Sequence, residues 1–111
     1  MATVEKSRWQ AATELLSREI HGQPARLEVA SLRIGDQIEA EWSPLRGITY
    51  DPKDDLFEFQ FEDVDHLVRH PRTFAVRERE GLADSLAVVD DEGAEHIVQF
   101  REPFPLPPTP V

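Results

Sequence analysis

Three features of the sequence predict an α+β, mainly β fold, in which one N-terminal helix packs on a strongly bent antiparallel sheet or a small SH3-like or Sm-like barrel of five or six strands. Apolar residues recur at helical spacing from Trp9 to Ile20. They then alternate at period two from Leu27 to Phe61, punctuated by Pro44, Gly47 and Pro52, and Gly81 and Gly93 mark turns between the later strands. An open α+β sheet carrying one helix is the alternative arrangement. At 111 residues the chain has the length of one domain, placed at residues 1–102, followed by a Pro-rich extended tail over 103–111.

The helix is expected over about residues 7–21. Ser7 and Gln10 have capping-box spacing, in which the hydroxyl accepts from the amide three residues on and the Gln side chain reaches back. Trp9, Ala12, Leu15, Leu16 and Ile20 form one stripe, and Trp9 reads as a packing anchor. Gly22 is placed to end the helix in the left-handed conformation, and Pro24 prevents its resumption.

Strands fill about residues 25–101. Leu27 and Val29 share one face, and Ile38, Ala40 and Trp42 share the buried face of the next strand. Pro44 and Gly47 mark a kink or bulge where that strand bends from one sheet into another. Asp51-Pro-Lys-Asp-Asp55 is a tight turn, after which Phe57, Phe59 and Phe61 point inward as core. Asp63 to Pro71 breaks the alternation and is expected as a loop or single helical turn. Phe74 and Val76, Leu82 to Val89, and Ile97 to Arg101 supply the remaining strands, with the Asp90–Gly93 turn joining the last two.

From Pro103 onward five of nine residues are proline, which predicts polyproline II. Phe104, Pro105 and Pro108 are its candidate partner-binding residues, either lying on their own domain or presenting a PxxP segment.

The 22 acidic and 12 basic residues give a net charge of −10, which repels phosphate backbones and anionic headgroups and argues against nucleic acid and membrane as partners. No cysteine occurs, so disulfides, thiolate catalysis and Cys-ligated zinc are excluded. The absence of a long apolar run and of an export-type N-terminus leads to an expectation of a cytoplasmic protein.

Two constellations carry potential chemistry. His66 and His70 stand four residues apart, so a helical turn would present both imidazoles on one face with Asp65 adding a carboxylate, a donor set for a divalent metal. Arg69 and Arg72 beside His70 could hold a carboxylate or phosphate, or pair with the acids of the 54–65 stretch. No motif for phosphate cradling, nucleophile elbow or calcium loop occurs, and no cofactor is expected apart from a metal at the His66–His70 segment.

The segments Leu16-Ser-Arg-Glu19, Gly35-Asp-Gln-Ile-Glu-Ala-Glu-Trp42, Gly47-Ile-Thr-Tyr-Asp-Pro-Lys-Asp-Asp55, Asp65-His-Leu-Val68 with Pro71, and Arg101-Glu-Pro103 resemble an uncharacterised family of small bacterial domain-of-unknown-function proteins. That resemblance implies a self-contained domain and transfers no catalytic residue. The functional expectation is a non-catalytic binding or accessory domain that engages a protein partner or self-associates through a sheet edge. The rival is a small metal-dependent or anion-binding enzyme centred on His66–His70.

Overall fold

The computed structural model describes residues 2–106. A single 3-10 turn (Lys6–Arg8) leads into helix α1 (Trp9–Ile20), and the rest of the chain forms strands. These are β1 (Ala2–Thr3), β2 (Pro24–Ser31), β3 (Gly35–Asp51), β4 (Leu56–Phe61), β5 (Asp65–Arg69), β6 (Pro71–Arg79), β7 (Leu82–Asp90) and β8 (Glu95–Pro105). All pair antiparallel in one curled sheet of order β1-β6-β7-β8-β2-β3-β4-β5. The mainly β architecture with one N-terminal helix is as expected, and the sheet is longer than five or six strands because two short edges join it.

The curl originates in β3, which at 17 residues is the longest strand and serves two half-sheets. Its first half pairs with β2 from Gly35 to Pro44, and its second half pairs with β4 from Leu45 to Asp51. Between them Trp42 adopts a left-handed backbone (φ 53), and a register shift separates Leu45 from Gly47. This is the bend expected from Pro44 and Gly47. A bulge at Glu39, where Leu27 pairs with Ala40 but Glu28 with Ile38, shifts the alternation, so Ile38 is 42% exposed while Ala40 stays buried and Trp42 is half-buried under the Arg101 guanidinium, 5.0 Å from its ring. The expected burial of Ile38, Ala40 and Trp42 on one face therefore holds only for Ala40.

Bending frees the edge of β3's second half that β2 no longer covers, and α1 takes the place of a strand there. Ser17 Oγ donates to the Ile48 carbonyl at 2.8 Å and accepts from the Ile48 amide at 2.9 Å. The Leu45 amide donates to the Gln23 carbonyl at 2.9 Å. Close approach of the helix is possible because Gly47 faces Ser17: a Cβ there would lie 3.6 Å from Ser17 Oγ and 3.2 Å from Gln60 Oε1.

Helix α1 buries Trp9, Thr13, Leu16 and Ile20 against the concave face. Trp9 packs edge-on against Tyr50, Phe57 and Phe74 with ring centroids 5.1, 5.6 and 6.3 Å away, and its indole N–H donates to the Val4 carbonyl at 2.8 Å. Phe57, Phe59 and Phe61 all point into this core, as their alternation requires. The Ser7–Gln10 capping box does not form, because Ser7 lies inside the 3-10 turn and Arg8 occupies the N-cap position. The helix ends one residue earlier than expected, with His21 itself left-handed (φ 52) and Gly22 following (φ 70).

Two further expectations change. Asp65–Arg69 is a strand, not a loop or helical turn, and His70 (φ 54) forms the one-residue corner into β6. Pro71 excludes helix at His70, but nothing in it excludes an edge strand just before. The tail does not begin at Pro103. After a bulge, Phe104 and Pro105 pair with Ala83 and Leu82, and Phe104 is buried 4.8 Å from the Phe100 ring. The Gln23 side-chain amide holds the bulge by donating to the Glu102 carbonyl and accepting from its amide, both at 2.8 Å. Phe104 is thus a core residue withdrawn from partner binding; Pro105 is exposed, and Pro108 lies outside the described residues.

Ser17→Ala leaves the Ile48 amide and carbonyl without their partner and is expected to destabilise the fold by about 1–3 kcal/mol. Urea unfolding followed by tryptophan fluorescence measures this as a lower midpoint at unchanged slope; an unchanged midpoint would show that water replaces the hydroxyl.

Candidate functional site

The curl carries β5 back toward β7 and β8, and three titratable side chains meet where they approach. His66 on β5 and His96 on β8 have ring nitrogens Nε2 and Nδ1 2.8 Å apart, and His96 Nε2 lies 2.9 Å from Asp90 Oδ2 at the end of β7. A carboxylate only accepts, so His96 Nε2 donates to it. One proton lies between His96 Nδ1 and His66 Nε2, donated by His66 when His96 is neutral and by His96 when it is protonated, and the chain links His66 through His96 to Asp90. Asp90 Oδ1 in turn accepts from the amides of Glu92 and Ala94 at 2.9 and 3.0 Å, which fixes the carboxylate in the β7–β8 turn.

The environment sets the charge on this chain. Burial first, and the neighbouring His96 second, push His66 down from 6.5 to about 4, so it is neutral at pH 7. Burial opposes ionisation of Asp90, but hydrogen bonds from His96 and from the Ala94 and Glu92 amides outweigh it and hold the carboxyl below its usual range. His96 is buried and the Phe59 ring stacks on His66 with centroids 6.2 Å apart. Such a chain orients imidazoles and can move a proton between them by tautomer exchange. Both nitrogens of His96 are engaged by protein groups.

An open groove of about 370 Å³ borders this cluster, lined by Leu67 to His70 on one side and by Asp90, Asp91, Glu92 and His96 on the other. A second polar cluster ties the β3–β4 turn to the N-terminal segment. Tyr50 Oη donates to Asp55 Oδ1 at 2.7 Å, with Lys6 Nζ at 3.1 Å and His70 Nδ1 at 3.6 Å from the same carboxylate. Burial and Asp55 push the Tyr50 phenol up to about 12, while the Tyr50 hydroxyl chiefly holds Asp55 below the usual carboxylate range.

The structure does not assemble the donor set expected from His66, His70 and Asp65. At a strand rise of about 3.3 Å per residue the two histidines stand about 13 Å apart along the chain instead of one helical turn. His66 is bound to His96, His70 faces Asp55, and Asp65 lies on the opposite, exposed face of β5. No group of three His, Asp or Glu side chains able to hold an ion occurs among the described residues. Arg69 and Arg72 are likewise not brought together: Arg69 lines the groove opposite three carboxylates, whereas Arg72 is exposed on β6 outside it.

His96 is the residue that sequence reasoning missed. Its signal was a histidine in register with Val98 and Phe100 on an inward-facing strand, a position that demands a polar partner. The partner lies 30 residues away on a segment read as a loop.

A family model described as a family of unknown function (DUF5335) matches residues 1–109. An uncharacterized protein of the bacterium Aquifex aeolicus (strain VF5) is 43% identical over 110 residues, covering 96% of this chain and 99% of that protein. No solved structure matches the chain. No helix among the described residues is long and apolar enough to cross a membrane.

His66 binds a proton more readily unfolded, at its ordinary 6.5, than folded, at about 4. Its contribution is therefore fully present above pH 6.5 and is lost as pH falls toward about 4. Chemical denaturation across that window is expected to show stability declining with acid, and His66→Gln is expected to flatten the decline; parallel profiles for both proteins would refute the assignment.

Proposed function

The chain belongs to the DUF5335 family of unknown function, and we propose that it is a non-catalytic binding or accessory domain whose contact surface is the arm built by β2 and β3. The observation that supports this reading is where the apolar side chains stand. Leu32 and Ile34, in the turn between the two strands, are 107% and 60% exposed, and Ile38 follows on β3. Every residue from 32 to 39 is exposed, so the arm projects beyond the core. Burying one side chain of this size in a partner gains about 1.5–3 kcal/mol, a gain the isolated domain forgoes at three positions on one hairpin.

The turn is built to present them. Ser31 Oγ accepts from the Arg33 amide at 3.1 Å, and Gly35 takes the left-handed conformation (φ 71) that lets β3 return. Along β3 Asp36, Glu39 and Glu41 outnumber the one base at the tip, Arg33 between Leu32 and Ile34, which favours a partner whose apolar recess has a mainly basic rim.

A second reading treats Asp90–His96–His66 as a general base, supported by its 2.8 and 2.9 Å contacts. It ranks lower because His96 has both nitrogens occupied, leaving His66 to act alone, and its low proton affinity makes it a weak base.

The double variant Leu32→Asp/Ile34→Asp is expected to keep the thermal midpoint and to lose at least about tenfold in retention of interacting protein on the immobilised domain. Equal retention by the parent chain and the variant would refute the arm as the contact surface.

A further inference from the structure

Among the described residues strand β5 ends the sheet, and its register shows which of its backbone groups face away from β4. The Phe61 amide donates to the Val64 carbonyl at 2.9 Å and the His70 amide to the Asp55 carbonyl at 3.0 Å, so residues 64 and 70 direct their polar groups toward β4. In an antiparallel ladder that direction alternates, and with His66 opposite Phe59 and Val68 opposite Phe57 these two also face β4. Asp65, Leu67 and Arg69 therefore send their amides and carbonyls to the open side. Their side chains share the exposed face, while His66 and Val68 point inward.

The order Asp65-His-Leu-Val-Arg69 places opposite charges at equal distances on either side of Leu67. We propose that two copies of this chain join antiparallel through β5, about a two-fold axis at Leu67, with Asp65 of each copy opposite Arg69 of the other. In this register the three outward-facing residues all become hydrogen-bonded pairs. One face carries a leucine pair flanked by two ion pairs, and the two sheets become continuous. A register shifted by one residue in one copy would set inward-facing amides against outward-facing ones and lose both ion pairs.

Sheet edges are usually blunted by charge, and the comparison with a second edge in this molecule is informative. The open side of β3's first half carries Asp36, Glu39 and Glu41 without a basic residue between Gly35 and Glu41, so self-pairing there gains no ion pair and gathers acid. The free edge of β3's second half is covered by Ser17 and Gln23. β1 is two residues long. β5 combines opposite charges at matched distances from its centre with an open groove alongside. A five-residue strand gives a small interface, so the dimer is concentration-dependent. It uses a different surface from the arm.

Sedimentation of the full chain at near-physiological salt, from micromolar to millimolar concentration, tests the proposal. The parent chain is expected to pass from monomer to dimer. Asp65→Arg is expected to weaken association at least about tenfold even though it removes net negative charge, because it sets two arginines opposite each other. Asp65→Arg/Arg69→Asp restores the complementary pairs at the parent net charge and is expected to restore association. A parent chain monomeric throughout overturns the proposal and leaves the edge to a strand of another protein. Association unaffected by Asp65→Arg, or not recovered by the exchange, overturns the register. Circular dichroism of each variant separates these outcomes from misfolding, and Leu32→Asp/Ile34→Asp is expected to dimerise normally.

Discussion

Everything in this fold depends on one strand belonging to two half-sheets. β3 must bend between Ala40 and Ile48, and the bend is tolerable because the backbone groups it frees find partners elsewhere. Ser17 answers both polar groups of Ile48, and the Gln23 carbonyl answers Leu45. Without these contacts the second half-sheet would leave an unsatisfied edge against the core, and a flat sheet would be the cheaper solution. With them, the helix lies where a strand would otherwise continue, and Trp9 reaches Tyr50, Phe57 and Phe74 from across the sheet.

The same bend determines where the polar chemistry goes. Curling brings β5 over β7 and β8, and the Asp90–His96–His66 chain spans the approach. Each bond adds of order 1 kcal/mol, more where the carboxylate takes part, and together they link the end of the sheet to its middle. These side chains are turned inward and hydrogen-bonded to one another, whereas Leu32, Ile34 and Ile38 are exposed. That contrast, between chemistry spent on closing the sheet and apolar surface left exposed, is the ground on which the binding role is proposed.

Much of the architecture was legible in the sequence because its signals are local. The helical stripe from Trp9 to Ile20, the three inward phenylalanines and the bend at Pro44 and Gly47 each follow from residue spacing and backbone restriction. What could not be read depends on tertiary register. Asp65 to Arg69 is too short and too polar to announce a strand, yet β4 supplies a template on which it pairs. Phe104 looked like part of a loose tail, and only the bulge held by Gln23 returns it to the core. His66 was noticed for a helical spacing it does not adopt, and His96 went unread because its partners lie on β5 and in the β7–β8 turn.

Residue-resolved amide hydrogen exchange across Asp65–Arg69 in dilute solution tests most directly whether β5 is a paired strand with an open edge. The account predicts alternation, with the His66 and Val68 amides protected by β4 and those of Asp65, Leu67 and Arg69 exchanging fast. Uniformly fast exchange across all five would mean that the segment is a loop after all, and would remove both the histidine link and the free edge.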